Sequence, residues 1–475
     1  MTGKRRQQLL EEAQLFDISE IAAATGGRIY GSADPVVSGV STDSRSAKPG
    51  ELFIPLRGER FDGHNYILQL AGVGVTSILA DERWIAGHHI PDSISCVVVK
   101  NTLRALGDLA AFWRKRFCIP VVGVTGSNGK TTTKEMLASI LSQTGEGLAT
   151  EGNLNNLIGL PQMALKLKKE HGWAVLEMGM SEPGEIDRLA EIAAPQTGIV
   201  LNAFPAHLAS MGTVEAVAKA KGELLFRISD NGLAVVNADD PRIASLQQNP
   251  SASRISFGIK RGEVRAENLV SHGIAGQRFS LVTPVGKIDI ELAACGVHNV
   301  YNALAASAAV LDKVPLESVA KGLAMFRPYK GRFRLEEVGG FTLIDDTYNA
   351  NPASTGAALS TLGELKRTGS AFVALGDMLE LGGNEAELHR TAGVQAAAVA
   401  DRLYLVGTLT AESAAGAIEA GMPADCVISG LEHEAVANDI LKRCRPGDII
   451  LLKGSRGMHM EKIAEAIRRK SSQES

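Results

Sequence analysis

The run Gly126-Ser127-Asn128-Gly129-Lys130-Thr131-Thr132 follows an apolar stretch, IPVVGVT, and leads into KEMLASILSQ, whose periodicity predicts a helix. Glycines in such a loop permit the backbone angles that turn successive N–H groups toward one point. The helix N-terminus adds positive potential at the same place, so the arrangement suits phosphate oxygens. In that geometry Lys130 reaches the β- and γ-phosphates of ATP, and Thr131 offers a hydroxyl to Mg²⁺. The strict pattern G-x-x-x-x-G-K-[ST] is not met, because Val124 stands where its first glycine belongs. The bland alternative is an ordinary strand–turn–helix junction; strand, loop, Lys-Thr and helix in this order favour the phosphate site.

Further along, Glu177 sits near the C-terminal end of the apolar run WAVLEMG. Ligands of open α/β sheets bind at those carboxyl edges. A carboxylate there either caps a turn or holds magnesium. His207, in AFPAHLASMG, follows the next apolar run, TGIVLNA. A lone histidine is commonly a hydrogen-bonded core or surface residue, and its place at a strand end favours a ligand role. Lys219 and Lys221 lie in AVAKAKGELLF. A solvated helix face is the plain reading; beside two magnesium ligands a lysine can instead bind phosphate, or be carbamylated and face a second ion. Asn299 and Asn302 are three apart in GVHNVYNALAA and share a helix face, as caps or as partners of a base or ribose. IDDTYNANP ends a strand in polar turn residues, where Asp346 can take a ribose hydroxyl; Arg332 and Arg334, in GRFR, suit a phosphate clamp.

The elements that must position these residues come from apolar runs alternating with helical periods. Runs at Glu51–Leu56, Thr76–Ala80 and Ser95–Lys100 predict strands of a small N-terminal α/β domain, residues 1–100. Leu103 to Phe117 has helical periodicity and opens a central domain, 101–327, with strands at Pro120–Thr125, Trp173–Gly179, Thr197–Ala203 and Gly232–Asp239. Strand–helix alternation there predicts a mostly parallel sheet covered on both faces. Runs at Phe341–Asp346, Ala371–Asp377, Arg402–Gly407 and Asp448–Gly454 predict a second nucleotide-type fold at 328–475, so the class is α/β in three domains. The length of 475 residues agrees with three domains at roughly 100–200 residues each. A net charge of −4 argues against nucleic acid or an anionic membrane surface as the main partner. Five scattered cysteines without CxxC spacing predict buried free thiols rather than zinc or disulfides. The N-terminus, MTGKRRQQLLEEAQLF, lacks the apolar core of a secretory signal, and no apolar run reaches the ~18 residues of a membrane span. A cytoplasmic location is expected.

Taken together, these segments resemble the ATP-dependent Mur ligases of peptidoglycan synthesis. The family pattern is a TGxxGKT[ST] loop, a glutamate on the next strand and a histidine after the following one. A lysine fourteen residues beyond that histidine comes next, then HNxxNxxAA and an aspartate-rich turn. Lys221 follows His207 by fourteen residues, so Lys221 and not Lys219 matches the carbamylated lysine. Long segments point to the branch that joins D-Ala-D-Ala to UDP-MurNAc-tripeptide: STDSR…PGELFIPLRGERFDGHNYI, EGNLNNLIGLP, LEMGMSEPGEI, DDTYNANP, LGDMLELG and LKGSRGMHME. The resemblance implies substrate contacts at Ser44, Arg45, Asn153, Asn156 and Ser455. It implies catalysis by Lys130, Glu177, His207 and Lys221, and metal ligation, of two Mg²⁺ ions, by Thr131, Glu177, His207 and Lys221. ATP contacts fall on Gly126 through Thr132, Asn299, Asn302, Arg332 and Asp346. A monomer is expected. The branch that adds a diamino acid is the nearest rival, but its DNPR-like motif is absent. Folylpolyglutamate synthases lack a domain like residues 1–100, and a switch or motor NTPase normally carries glycine at the Val124 position and an aspartate where WAVLE ends in glutamate.

Overall fold

The structure, a computed structural model, describes residues 15–31, 35–205 and 208–472. Most of the N-terminal stretch read for a signal, and His207, lie outside the described residues. The described chain contains three sheets and divides into two compact units. One unit holds the chain up to Ile119 with Thr150–His171 and Arg188–Ala194; the other holds Pro120–Ala149, Gly172–Asp187 and Pro195 onward. The segment EGNLNNLIGLP, central in the sequence, therefore packs with the first unit.

In the first unit five strands run in the order Arg28–Tyr30, Ser95–Val99, Ser77–Asp81, Glu51–Phe53, Gly39–Ser41. Only the first pair is antiparallel. Every residue of Ser77–Asp81 and Ser95–Val99 is buried, as expected of a parallel sheet whose two faces are both covered. Helix Thr102–Arg114 follows the last of these strands and is started by Asn101, whose side chain accepts the Arg104 N–H at 2.9 Å.

The second unit carries a nine-stranded sheet among the described residues. Its order is Gly286–Leu292, Gln277–Thr283, Val264–Ser271, Ser253–Gly258, Leu233–Asn237, Thr197–Val200, Val121–Thr125, Ala174–Glu177, Leu148–Ala149. The last seven are mutually parallel; the first three pair antiparallel. This antiparallel extension is absent from the sequence expectation, although Ile288, Ile290 and Leu292 alternate with exposed Asp289 and Glu291 in the strict period of two. A six-stranded sheet in the same unit runs Arg334–Val338, Phe341–Asp346, Ile449–Lys453, Ala371–Gly376, Arg402–Val406, Val427–Ser429, parallel except at its first pair.

All five cysteines are free, but the expectation that they are buried fails for two: Cys118 is exposed and Cys426 partly so. Cys118 lies beyond the C-terminus of helix Thr102–Arg114, in a connecting segment outside the core. No helix of the described residues is long and apolar enough to cross a membrane.

Candidate active site

Val121–Thr125 is wholly buried in mid-sheet, and its end delivers the loop 126–129 to the N-terminus of helix Lys130–Leu141. Register places Val124 opposite Glu177 on one side and Ile199 on the other, and Thr125 Oγ1 donates to the Met178 carbonyl at 2.9 Å. Glu177 is thereby fixed beside the loop. Gly129 adopts φ +86°, and a Cβ there would lie 2.3 Å from Asn302 Oδ1, so only glycine fits. No side chain caps the helix, which leaves its first-turn N–H groups free of a side-chain cap at the loop end.

Three polar contacts shape the mouth of this loop. The Thr131 hydroxyl donates to Glu177 Oε2 at 2.9 Å and accepts from Arg332 Nη2 at 3.2 Å. The Arg332 guanidinium stacks on Tyr348, 3.8 Å from the ring centre, and its buried Nε has no hydrogen-bond partner. Lys130 folds back so that Nζ donates to the Gly126 carbonyl at 2.8 Å. Burial depresses the Lys130 pKa; Glu177 opposes this and Arg332 adds to it. Lys221, on helix Val214–Phe226, is 3% exposed. Burial first, and the Lys130 charge second, hold its amine well below the ordinary lysine range. Lys219, two residues away and so on the opposite face of the helix, is exposed.

Asn299 and Asn302 are buried, at 6% and 5% exposure, behind the loop. Asn302 Oδ1 accepts from Thr133 Oγ1 at 3.4 Å, Asn302 Nδ2 donates to Asn299 Oδ1 at 3.2 Å, and Asn299 Nδ2 donates to the Cys295 carbonyl at 2.8 Å. Their amides thus brace helix Lys130–Leu141 from behind. Asp346 is engaged inside its own sheet: Oδ1 accepts the Phe333 N–H at 3.1 Å and Oδ2 pairs with Lys453 at 2.6 Å. Phe333 itself has φ +49°, strained for a bulky residue and held by that bond and by burial. Ser455 Oγ accepts the Leu379 N–H at 2.9 Å and donates to the Ala350 carbonyl at 3.3 Å. Arg334 is exposed and pairs with Glu336 at 3.1 Å, away from Thr131. In the first unit, Arg45 is an exposed partner of Asp43 at 2.6 Å and holds that carboxyl down at about 2. Ser44 is half-buried beside it and Asn153 lies in the loop before helix Gly159–Ala164, whose start Asn156 secures by accepting the Gly159 N–H at 2.8 Å. The structure therefore brings together Lys130, Thr131, Glu177 and Arg332, with Lys221 close enough to feel the Lys130 charge.

Motif spacing does not single out Asn202, yet it holds the loop. Its carbonyl accepts the Ser127 N–H at 3.1 Å, its Oδ1 accepts the Asn128 N–H at 2.9 Å, and its Nδ2 donates to the Asn128 carbonyl at 3.1 Å. The available signal is an amide immediately after an apolar strand. His298, the histidine of HNVYNALAA, carries a strongly shifted imidazole: burial, opposed by Asp346 and aided by Lys453, pushes it down to about 4. Among the described residues no three His, Cys, Asp or Glu side chains cluster as a metal cage.

A parallel sheet whose central strand feeds a glycine loop, with lysine, threonine and a neighbouring strand-end carboxylate at its mouth, defines a nucleotide-phosphate-binding enzyme. Family models agree in kind: "Mur ligase family, catalytic domain" matches residues 36–114, "Mur ligase middle domain" 124–310, and "Mur ligase, glutamate ligase domain" 331–456. The UDP-N-acetylmuramoyl-tripeptide–D-alanyl-D-alanine ligase of Escherichia coli (strain K12) is 35% identical, with 95% of this chain and 98% of that protein aligned. The Bacillus subtilis (strain 168) protein of the same name is 36% identical over 90% and 93%. MurF from Acinetobacter baumannii superposes with a TM-score of 0.85 at 34% identity, covering 94% and 98% of the two chains. MurF of Thermotoga maritima, solved in complex with ADP, gives 0.81 at 27% identity, covering 92% and 98%. The chain belongs to the Mur ligase family.

Proposed function

We propose that this chain is an ATP-dependent ligase that joins D-Ala-D-Ala to UDP-MurNAc-tripeptide in peptidoglycan precursor synthesis. The observation that carries the reading is the phosphate loop with Thr131, Glu177 and Arg332 gathered at its mouth, in a chain alike over nearly its whole length to ligases of that name. A carboxylate is a poor electrophile at neutral pH. Transfer of the γ-phosphate to the tripeptide's terminal carboxylate gives an acyl phosphate; the dipeptide amine attacks its carbonyl carbon, and phosphate departs with its bonding pair.

Each residue has a task in this scheme. The first-turn N–H groups and Lys130 hold the β- and γ-phosphates, and Arg332 adds charge as the phosphoryl group moves between two anions. Magnesium fits the donor set, since Thr131 Oγ1 and Glu177 Oε2 are hard oxygens 2.9 Å apart. When bound, the ion neutralises phosphate charge. His207 would join Thr131 and Glu177 as a ligand. Lys221 is buried beside Lys130, and as the lysine fourteen residues beyond His207 its carbamate, formed with carbon dioxide, would hold a second ion. Asn299 and Asn302 act as braces of the loop helix. Asp346 acts through Lys453 and Phe333 to set the arginine. Ser44, Arg45, Asn153 and Asn156 contact the UDP-sugar peptide, and Ser455 the dipeptide. The domains run 1–100, 101–327 and 328–475, and the enzyme works as a cytoplasmic monomer. A phosphate-release assay with UDP-MurNAc-tripeptide, crossing D-Ala-D-Ala against single amino acids, tests the reading. Release should require both substrates; equal release with a lone diamino acid would overturn it.

A further inference from the structure

We propose that Asn128 and Asn351 are positioning residues whose side-chain amides register the C-terminal sheet domain onto the phosphate loop for phosphoryl transfer. The proposal rests on the ligase reading above. Asn351 Nδ2 donates to Asn128 Oδ1 at 2.7 Å, and Asn128 Nδ2 donates to Asn351 Oδ1 at 3.2 Å, so two amides 223 residues apart close a reciprocal pair. Both ends are anchored. The Asn128 backbone is clasped by Asn202 on the strand-end side. Asn351 starts helix Pro352–Leu365, its Oδ1 accepting the Ser354 N–H at 2.9 Å. It is also 9% exposed, so its amide is committed to the pair and not to solvent.

The segment carrying Asn351 reaches two other groups of the site. Lys453, the partner of Asp346, donates to the Asn349 carbonyl at 3.0 Å, and Ser455 donates to the Ala350 carbonyl at 3.3 Å. Tyr348, on the same segment, supports the Arg332 guanidinium that touches Thr131. A shift of the loop at Asn128 is therefore passed through one amide pair to the arginine's platform and to Ser455. Neither asparagine needs to touch a phosphate for this. The pair sets where Arg332 stands when phosphate moves.

A double-mutant cycle tests it on the full chain. Asn351→Ser keeps a side chain that caps the helix but is too short to reach Asn128; Asn128→Ala has no capping role and withdraws the other half. Each should lower kcat for ligation about tenfold, the loss expected from one to two hydrogen bonds. In Asn351→Ser the Kd of a non-hydrolysable ATP analogue should stay within about twofold, because Asn202 and Lys130 still hold the loop. The double variant should be no slower than the worse single one. Unchanged kcat in Asn128→Ala, or losses that multiply in the double variant, would overturn the proposal. If Asn351→Ser lowers Tm, Asn128→Ala alone decides. A wild-type chain without dipeptide-dependent ADP formation would instead overturn the ligase reading itself.

Discussion

Gly129→Ala puts the phosphate loop to a quantitative test. Gly129 has φ +86°, where an L-residue costs roughly 1–2 kcal/mol. The new methyl carbon would also lie 2.3 Å from Asn302 Oδ1. That oxygen cannot retreat cheaply: Asn302 is 5% exposed and is bonded to Thr133 and Asn299. Relief requires either loss of those bonds, about 1 kcal/mol each, or movement of the helix start. The combined cost is about 3 kcal/mol, and if the loop escapes by leaving its phosphate-binding shape, ATP affinity falls about a hundredfold. Titration calorimetry with a non-hydrolysable ATP analogue reads this directly, with circular dichroism confirming the fold. A Gly129→Ala protein that binds the analogue within threefold of wild type would refute the steric argument.

Four further outcomes follow from the same geometry. Asn202→Ala removes both side-chain bonds to Asn128 and should weaken ATP-analogue binding about tenfold while barely moving Tm, read by calorimetry and thermal denaturation. Lys453→Met leaves Asp346 without its ammonium partner and should cost about 3–5 kcal/mol in chemical denaturation, a value near zero excluding that pair as a support. Lys221→Arg, which cannot be carbamylated, should lower ligation at least about a hundredfold, and bicarbonate should stimulate only wild type. His298 has a folded pKa of about 4, below its unfolded value, so the unfolded chain binds more protons between those two values. Stability is therefore full above about pH 6.5 and falls as pH drops toward 4, by ~1–2 kcal/mol for a partly exposed ring; His298→Asn should flatten that slope in denaturation measured across this range.

The loop was the most legible feature of this chain because its chemistry is local. VVGVT, the glycines and Lys130-Thr131 are contiguous, so the strand–loop–helix order is visible without any tertiary contact. Glu177 was legible for a related reason: it ends an apolar run of strand length, and strand ends of a parallel sheet share one edge. What stayed hidden depends on distant partners. Asn128 and Asn351 meet across 223 positions, and neither residue type advertises a partner. Lys453 reads as the end of an apolar strand, and only the pairing of Phe341–Asp346 with Ile449–Lys453 brings it to Asp346. The same holds for Asn299 and Asn302: their spacing shows a shared helix face, but not that the face points at the back of the loop. The hairpins Val264–Leu292 had a readable period of two that the nearby parallel strands overshadowed.

In the proposed reaction ATP is spent to make one amide bond between UDP-MurNAc-tripeptide and D-Ala-D-Ala. Liquid chromatography with mass detection, run on the wild-type chain with ATP, Mg²⁺, UDP-MurNAc-tripeptide and D-Ala-D-Ala, tests it most directly. One UDP-MurNAc-pentapeptide should form for each ADP, and omission of either substrate should stop both. ADP formed without pentapeptide, or a product carrying a single diamino acid in place of the dipeptide, would rule out this ligation.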